Sequence, residues 1–195
     1  MKLTPHKFFG GTVMLALTLS SLKDATSHLF AQPTFDCFDV LTVTISSYIT
    51  FSMDGHLNAA FFEGAEDFEV SEAPSEFSKG FPKASNIPTH SKLCSWQRLR
   101  PICFSIIRGK QPPVSFQITL FLDRNRAASL FSDSLLSKNQ DIDGFTLHLS
   151  YRNRTLTLST GTVFARFSLD RESEQLWDQY ILAWARNQHL SFEEI

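Results

Sequence analysis

The longest patterned stretch of the chain runs from Val114 to Leu169. Val114, Phe116, Ile118, Leu120 and Leu122 alternate with Ser115, Gln117 and Thr119, the period of two that marks a half-buried strand. At Asp123 the period changes. Ala127, Leu130, Phe131 and Leu135 follow at helical spacing, with Asp123 placed to cap the first turn. Three alternating segments come next, carrying Phe145/Leu147/Leu149/Tyr151, Leu156/Leu158 and Val163/Ala165/Phe167/Leu169 on one side. Arg152-Asn153-Arg154 and Thr160-Gly161-Thr162 separate them, and Asn or Gly at each joint suits a tight hairpin between antiparallel strands. The unit reads β-α-β-β-β.

The first half of the chain repeats that pattern over residues 14–62. A strand from Val13 to Leu19 precedes Ser21, which has Asp24 three residues later in the manner of a capping box, and Leu22, Ala25, Leu29 and Phe30 share one helical face. Pro33 ends the helix. Leu41/Val43/Ile45 and then Tyr48 to Met53 alternate as strands, and Asp54-Gly55 signals a hairpin before Leu57, Ala59 and Phe61. A structural duplication is the reading, one of pattern more than of identity. Between the halves, residues 63–95 carry Glu63, Glu66, Asp67, Glu69, Glu72 and Glu76 with three prolines, and are expected to form a flexible acidic loop. The second unit, 96–195, opens on one more strand through Ile102, Phe104 and Ile106. It closes with a helix capped by Asp170, acidic at its start, basic at its end, and striped with Leu176, Trp177, Tyr180, Ile181 and Trp184. The expected fold is α+β: two β-α-β-β-β units forming mainly antiparallel sheets, plus a C-terminal amphipathic helix.

Composition narrows this only slightly. The 195 residues are 43% hydrophobic and 13% aromatic, with 19 phenylalanines, ample for a packed core. A net charge of -2 gives no global attraction to nucleic acid or membrane. Cys37, Cys94 and Cys103 form no Cys-x-x-Cys pair, so a reducing compartment is expected and the protein is read as cytoplasmic. Lys2 and Lys7 ahead of Phe8 to Leu17 resemble a secretory signal, but no small-x-small cleavage site follows before Lys23 and the run is too short to span a membrane. Residues 1–13 are therefore read as a disordered leader.

Little catalytic chemistry is legible. The six histidines are scattered without metal-ligand spacing, so no metal and no cofactor is expected, and there is no Gly-x-Ser-x-Gly. Arg108-Gly109-Lys110 lacks the spacing of a phosphate loop, and prolines follow it where a helix would be needed. Asp141 and Asp143 flank a turn at Gly144, and the sequon Asn153-Arg154-Thr155 matters only in a secreted chain. One signal remains. Arg108, Lys110, Arg124, Arg126, Arg152 and Arg154 form a basic set in an otherwise acidic protein, and they are the candidate nucleic-acid-binding residues. No aromatic residue interleaves with them along the sequence to stack a base.

Phe35-Asp36-Cys37-Phe38, Met53-Asp54-Gly55-His56, Trp96, Arg108-Gly109-Lys110 with Pro113, Asp143-Gly144, Ser159-Thr160-Gly161-Thr162, Trp177-Asp178 and Phe192-Glu193 together resemble a domain-of-unknown-function family from clostridial Firmicutes. Arg108, where the pattern has Lys, and the leader are departures from it. The resemblance implies no activity, substrate or site. In topology, tandem β-α-β-β-β units are also similar to the modules of DNA sliding clamps, an analogy of fold only. The leading functional reading is a non-enzymatic cytoplasmic binding or scaffold protein that contacts a protein partner or nucleic acid, in replication or repair, with no membrane association. A competing reading is a small enzyme with a pocket between the units that uses Asp54, His56 or His148. A third is a structural homodimer joined through the final helix.

Overall fold

In the computed structural model the described residues are 15–58, 60–61, 92–130, 141–166 and 171–195. The alternating segments become the strands β1 (Ala16–Leu19), β2 (Asp39–Ser46), β3 (Thr50–Asp54), β4 (Ser115–Asp123), β5 (Ile142–Arg152), β6 (Thr155–Phe164) and β7 (Phe192–Glu194). They join in one antiparallel sheet of order β3-β2-β4-β5-β6-β1-β7. The protein is α+β as its patterning predicts. Both halves of the chain contribute to the same sheet: β2 pairs with β4 and β1 with β6.

Among the described residues the helices are α1 (Leu22–Phe30), α2 (Trp96–Ile107), α3 (Arg124–Leu130) and α4 (Glu172–Asn187), with a short 3-10 turn at Pro33–Phe35. Two of the caps read from sequence form as expected: Ser21 Oγ accepts from Asp24 N, and Asp123 Oδ1 accepts from the backbone N–H groups of Asn125 and Arg126, whereas α4 starts from Arg171 with no side-chain cap, in place of the expected Asp170. One face of the sheet carries Leu17, Val43, Ile45, Ile118, Leu120, Leu147, Leu149, Leu156 and Leu158, all buried. The packing on that face is aromatic. Trp96 on α2 meets Phe30 and donates Nε1–H to Leu29 O, which has no partner further along α1. Trp177 on α4 stacks on Phe145 at 4.9 Å, and Trp184 meets Phe35 and Phe38 edge-on. The Trp177/Trp184 stripe of the final helix is therefore used within the chain, and Trp177 offers no surface to a second copy.

The other face is a lattice of small polar side chains. Thr50, Ser46, Ser115, Arg152 and Thr155 form its last rung across β3, β2, β4, β5 and β6. Parallel rungs behind it hold Ser52, Thr44, Gln117, Ser150 and Thr157, then Asp54, Thr42, Thr119, His148 and Ser159.

Four expectations are corrected. Ile102, Phe104 and Ile106 belong to a helix, α2: Trp96, Leu99, Cys103 and Ile106 lie at helical spacing and face the core, while Ile102 and Phe104 look outward. Thr160-Gly161-Thr162 is no joint, since β6 runs straight through it, opposite Thr146 and its neighbours. Tyr48 is not in a strand but in the β2–β3 turn. Asp54-Gly55 makes no hairpin either. Gly55 N still bonds Leu41 O of β2, after which the chain parts from it and residues Leu93–Cys94 enter the gap, with Cys94 N bonding Gly55 O and Val40 N bonding Cys94 O. Gly55 is required there by closeness, because a Cβ would sit 1.8 Å from Val40 O. Lys92 to Ser95, ahead of Trp96, are thus bonded to the edge of the sheet. The leader, residues 63–91 of the acidic region, Phe131 and Leu135 of the helix expected after Asp123, and Phe167, Leu169 and Asp170 lie outside the described residues.

Candidate functional site

The six basic candidates fall at two opposite ends of the sheet. Each end is built by the same strand, β4, whose nine residues separate Ser115 from Asp123 by about 27 Å at ~3.3 Å per residue.

At the far end, where β4 runs into α3, Arg124 and Arg126 are engaged in holding the fold. Arg126 Nη2 pairs with Asp39, its Nε with Asp123, and its Nη1 donates to Cys37 O at 3.1 Å. Asp39 is buried at the start of β2, so this one guanidinium ties β2, β4 and the loop before β2 together. Burial alone would raise the Asp123 carboxyl, but hydrogen bonds from the Arg126 side chain and from the helix N–H groups outweigh it and hold the group below its ordinary value. Arg126 is likewise pulled down by burial and pushed up further by its two carboxylates, so its charge is held above the usual range. Arg124 Nη1 donates to Ile142 O at 3.2 Å. Arg100, on α2, pairs with Asp36 at 3.1 Å, and burial pushes that carboxyl up by more than Arg100 lowers it.

The other four belong to segments that lead to the near end. Arg152 occupies the last rung beside Ser115, and Arg154 stands in the two-residue turn that joins β5 to β6. Arg108 caps α2, and Lys110 lies on the connection that brings α2 to Val114, whose N–H bonds Ser46 O at 2.8 Å. All four are exposed, and among the described residues none of them forms a salt bridge. The segments that make this end, residues 46–50, 108–115 and 152–155, contain no Asp or Glu. Sequence reasoning missed its apolar part: Tyr48 is 87% exposed, Val114 70% and Ile49 51%. Only the pairing of β2 with β4, and of β4 with β5, places Tyr48 on the same edge as Arg152. The one sequence signal was the run Ser46-Ser47-Tyr48-Ile49-Thr50, where small polar residues bracket two large apolar ones at a turn.

Two of the three non-glycine residues with positive φ among the described residues lie at this end, the third being His189 after α4. Asn153 and Arg154 both have positive φ, 52° and 62°. This is the conformation of a type I′ hairpin turn, where Gly is the favoured second residue. An arginine held in the left-handed region costs ~1–2 kcal/mol relative to a conformation its Cβ tolerates. Strain of that kind collects where a side chain is needed in place.

The residues of the enzyme reading do not assemble. Asp54 and His56 pair at 2.6 Å on the exposed edge, where the hydrogen bond from His56 holds the Asp54 carboxyl low. His148 sits on the same rung as Asp54 but with β2 and β4 between them, about 14 Å at ~4.8 Å per strand. Its ring faces two hydroxyls, Thr119 Oγ1 at 3.1 Å from Nδ1 and Thr146 Oγ1 at 3.4 Å from Nε2. Burial lowers its proton affinity. Among the described residues no cluster of His, Cys, Asp and Glu could hold a metal ion, and no helix is long and apolar enough to cross a membrane.

The chain belongs to a family of unknown function, DUF5721, which it matches over residues 28–193. No curated protein and no solved structure matches it.

Proposed function

We propose that this protein works by surface contact, without chemistry of its own, and that it holds an anionic polymer against the near end of its sheet. The observation that carries this reading is that Arg108, Lys110, Arg152 and Arg154 are exposed on segments of the near end that contain no acid of their own, while Arg100, Arg124 and Arg126 are tied to carboxylates or carbonyls. Four exposed cations within one edge raise the local potential even though the whole chain is slightly negative. The strained placement of Arg154 supports the same reading. Three unpaired cysteines, with Cys103 pushed by burial up to about 12, support a cytoplasmic setting.

Salt dependence tests it. Binding of labelled polyphosphate, followed by anisotropy, should weaken as salt rises with a log–log slope of about -3, four contacts at roughly -0.7 to -0.9 each. Replacing all four cations by Ala should abolish binding and leave the urea midpoint near that of the parent. Unchanged binding by that variant would remove the proposal.

A further inference from the structure

We infer that the polymer is a single-stranded nucleic acid and that Tyr48 is the platform on which one of its bases stacks. This rests on the reading of the near end as an anion-binding edge and gives that edge a substrate class.

The edge has a direction. Along the strand order β3-β2-β4-β5-β6, the β2–β3 turn presents Tyr48 and Ile49, the start of β4 presents Val114, and β5 with its turn presents Arg152 and Arg154. From the first turn to the second is three strand spacings, about 14 Å at ~4.8 Å each. An aromatic ring at one end, an apolar step in the middle and two guanidinium groups at the other match an unpaired strand whose bases and phosphates are presented side by side. Arg108 and Lys110 add exposed charge on the connection that leads into Val114.

The chemistry separates this ligand from its rivals. A duplex keeps its base faces stacked inside and offers Tyr48 nothing to cover. Polyphosphate has the charge but no ring. An acidic peptide has the charge, yet its carboxylates give an 87% exposed tyrosine no flat partner. Only an unpaired nucleic-acid strand uses the ring, the apolar step and the cations together, and a span of 14 Å confines it to a few nucleotides. Flat stacking also makes the site tolerant of sequence, since every base has a π face.

The test uses the full chain and four probes: fluorescein-labelled oligo-dT, a duplex of the same length, inorganic polyphosphate and a poly-Glu peptide. Expected is tighter binding of oligo-dT than of the other three, with affinity levelling off beyond about five nucleotides. Tyr48→Ala should cost roughly tenfold on oligo-dT and nothing on polyphosphate, and Tyr48→Phe should bind as the parent does. Tyr48 is a turn side chain with most of its surface in solvent, so both variants fold. Equal binding of polyphosphate, duplex and oligo-dT, indifferent to Tyr48→Ala, overturns the inference and leaves the anion-binding reading standing. Preference for poly-Glu overturns the inference in favour of an acidic protein partner. Failure to bind any of the four overturns both.

Discussion

The two ends of β4 carry arginines that look alike in sequence and behave differently in the fold. At the end with α3, Arg126 serves two carboxylates and a carbonyl, and one of those carboxylates, Asp39, lies 87 residues away along the chain. At the end with the β5–β6 turn, Arg152 and Arg154 have no acid near them in sequence or in the sheet. A basic residue becomes structural when the topology brings it a buried acid. It is left exposed, and is proposed as a binding residue, when the topology brings it no acid and an exposed ring on the same edge. Net charge along a sequence window cannot tell these cases apart, because the deciding neighbour is contributed by another strand.

The largest expected effect tests the structural end. Arg126→Ala leaves Asp39 buried beside a missing guanidinium and should lower stability by about 2–4 kcal/mol, reduced from the ~3–5 of a fully buried pair because the Arg126 side chain is 39% exposed. Arg152→Ala, at the other end, should stay within ~0.5 kcal/mol of the parent. Urea denaturation of both variants measures the contrast. Equal stability of the two would erase the distinction between the ends.

How much of this was legible beforehand follows from the range of the interactions. β1, β2, β4, β5, α1, α4 and the Ser21 and Asp123 caps were all readable, since their periods and caps are set by residues a few positions apart. α2 was misread because Ile102, Phe104 and Ile106 alternate. The helical period through Trp96, Leu99, Cys103 and Ile106 competes with that alternation, and packing against Phe30 and the sheet decides for the helix. Gly161 looked like a turn residue. Its absent side chain instead makes room for Thr146 across the strand, where a Cβ would come within 2.6 Å of the hydroxyl. Several residues behind the family resemblance are of this structural kind: Gly55 under Val40, Asp178 accepting from the Thr160 hydroxyl, Phe35 and Phe38 under Trp184. The proposed binding edge was half legible. Its cations could be named, but Tyr48 could be joined to them only once the strand order was known.

A smaller effect isolates the charge of Asp123 from its role as a cap. Asp123→Asn keeps a good N-cap but weakens the bond to Arg126, at a cost of about 1 kcal/mol near neutral pH, the difference between a charged and a neutral hydrogen bond. The folded-state pKa of Asp123 lies below the unfolded value, so its charge stabilises the fold above the unfolded pKa and ceases to do so as pH falls through the folded one. Parent and variant should therefore differ in urea midpoint at neutral pH and converge in strong acid. A gap that stays constant with pH would mean that the carboxylate charge does not hold the far end together.

The smallest effect bears on the binding end and has the opposite sign. Arg154 holds φ at 62°, where glycine is at ease and arginine is not. Arg154→Gly should relieve ~1–2 kcal/mol of backbone strain and give back ~0.5–1 through the looser unfolded chain, a net gain of about 0.5 kcal/mol. The same change removes one of four cations and should weaken polyanion binding while reducing the salt slope by ~0.7–0.9. A variant that is slightly more stable and binds less well is what a residue kept for contact predicts. A variant that loses stability would mean that the Arg154 side chain supports the β5–β6 turn, and the near end would then join the far end as structure.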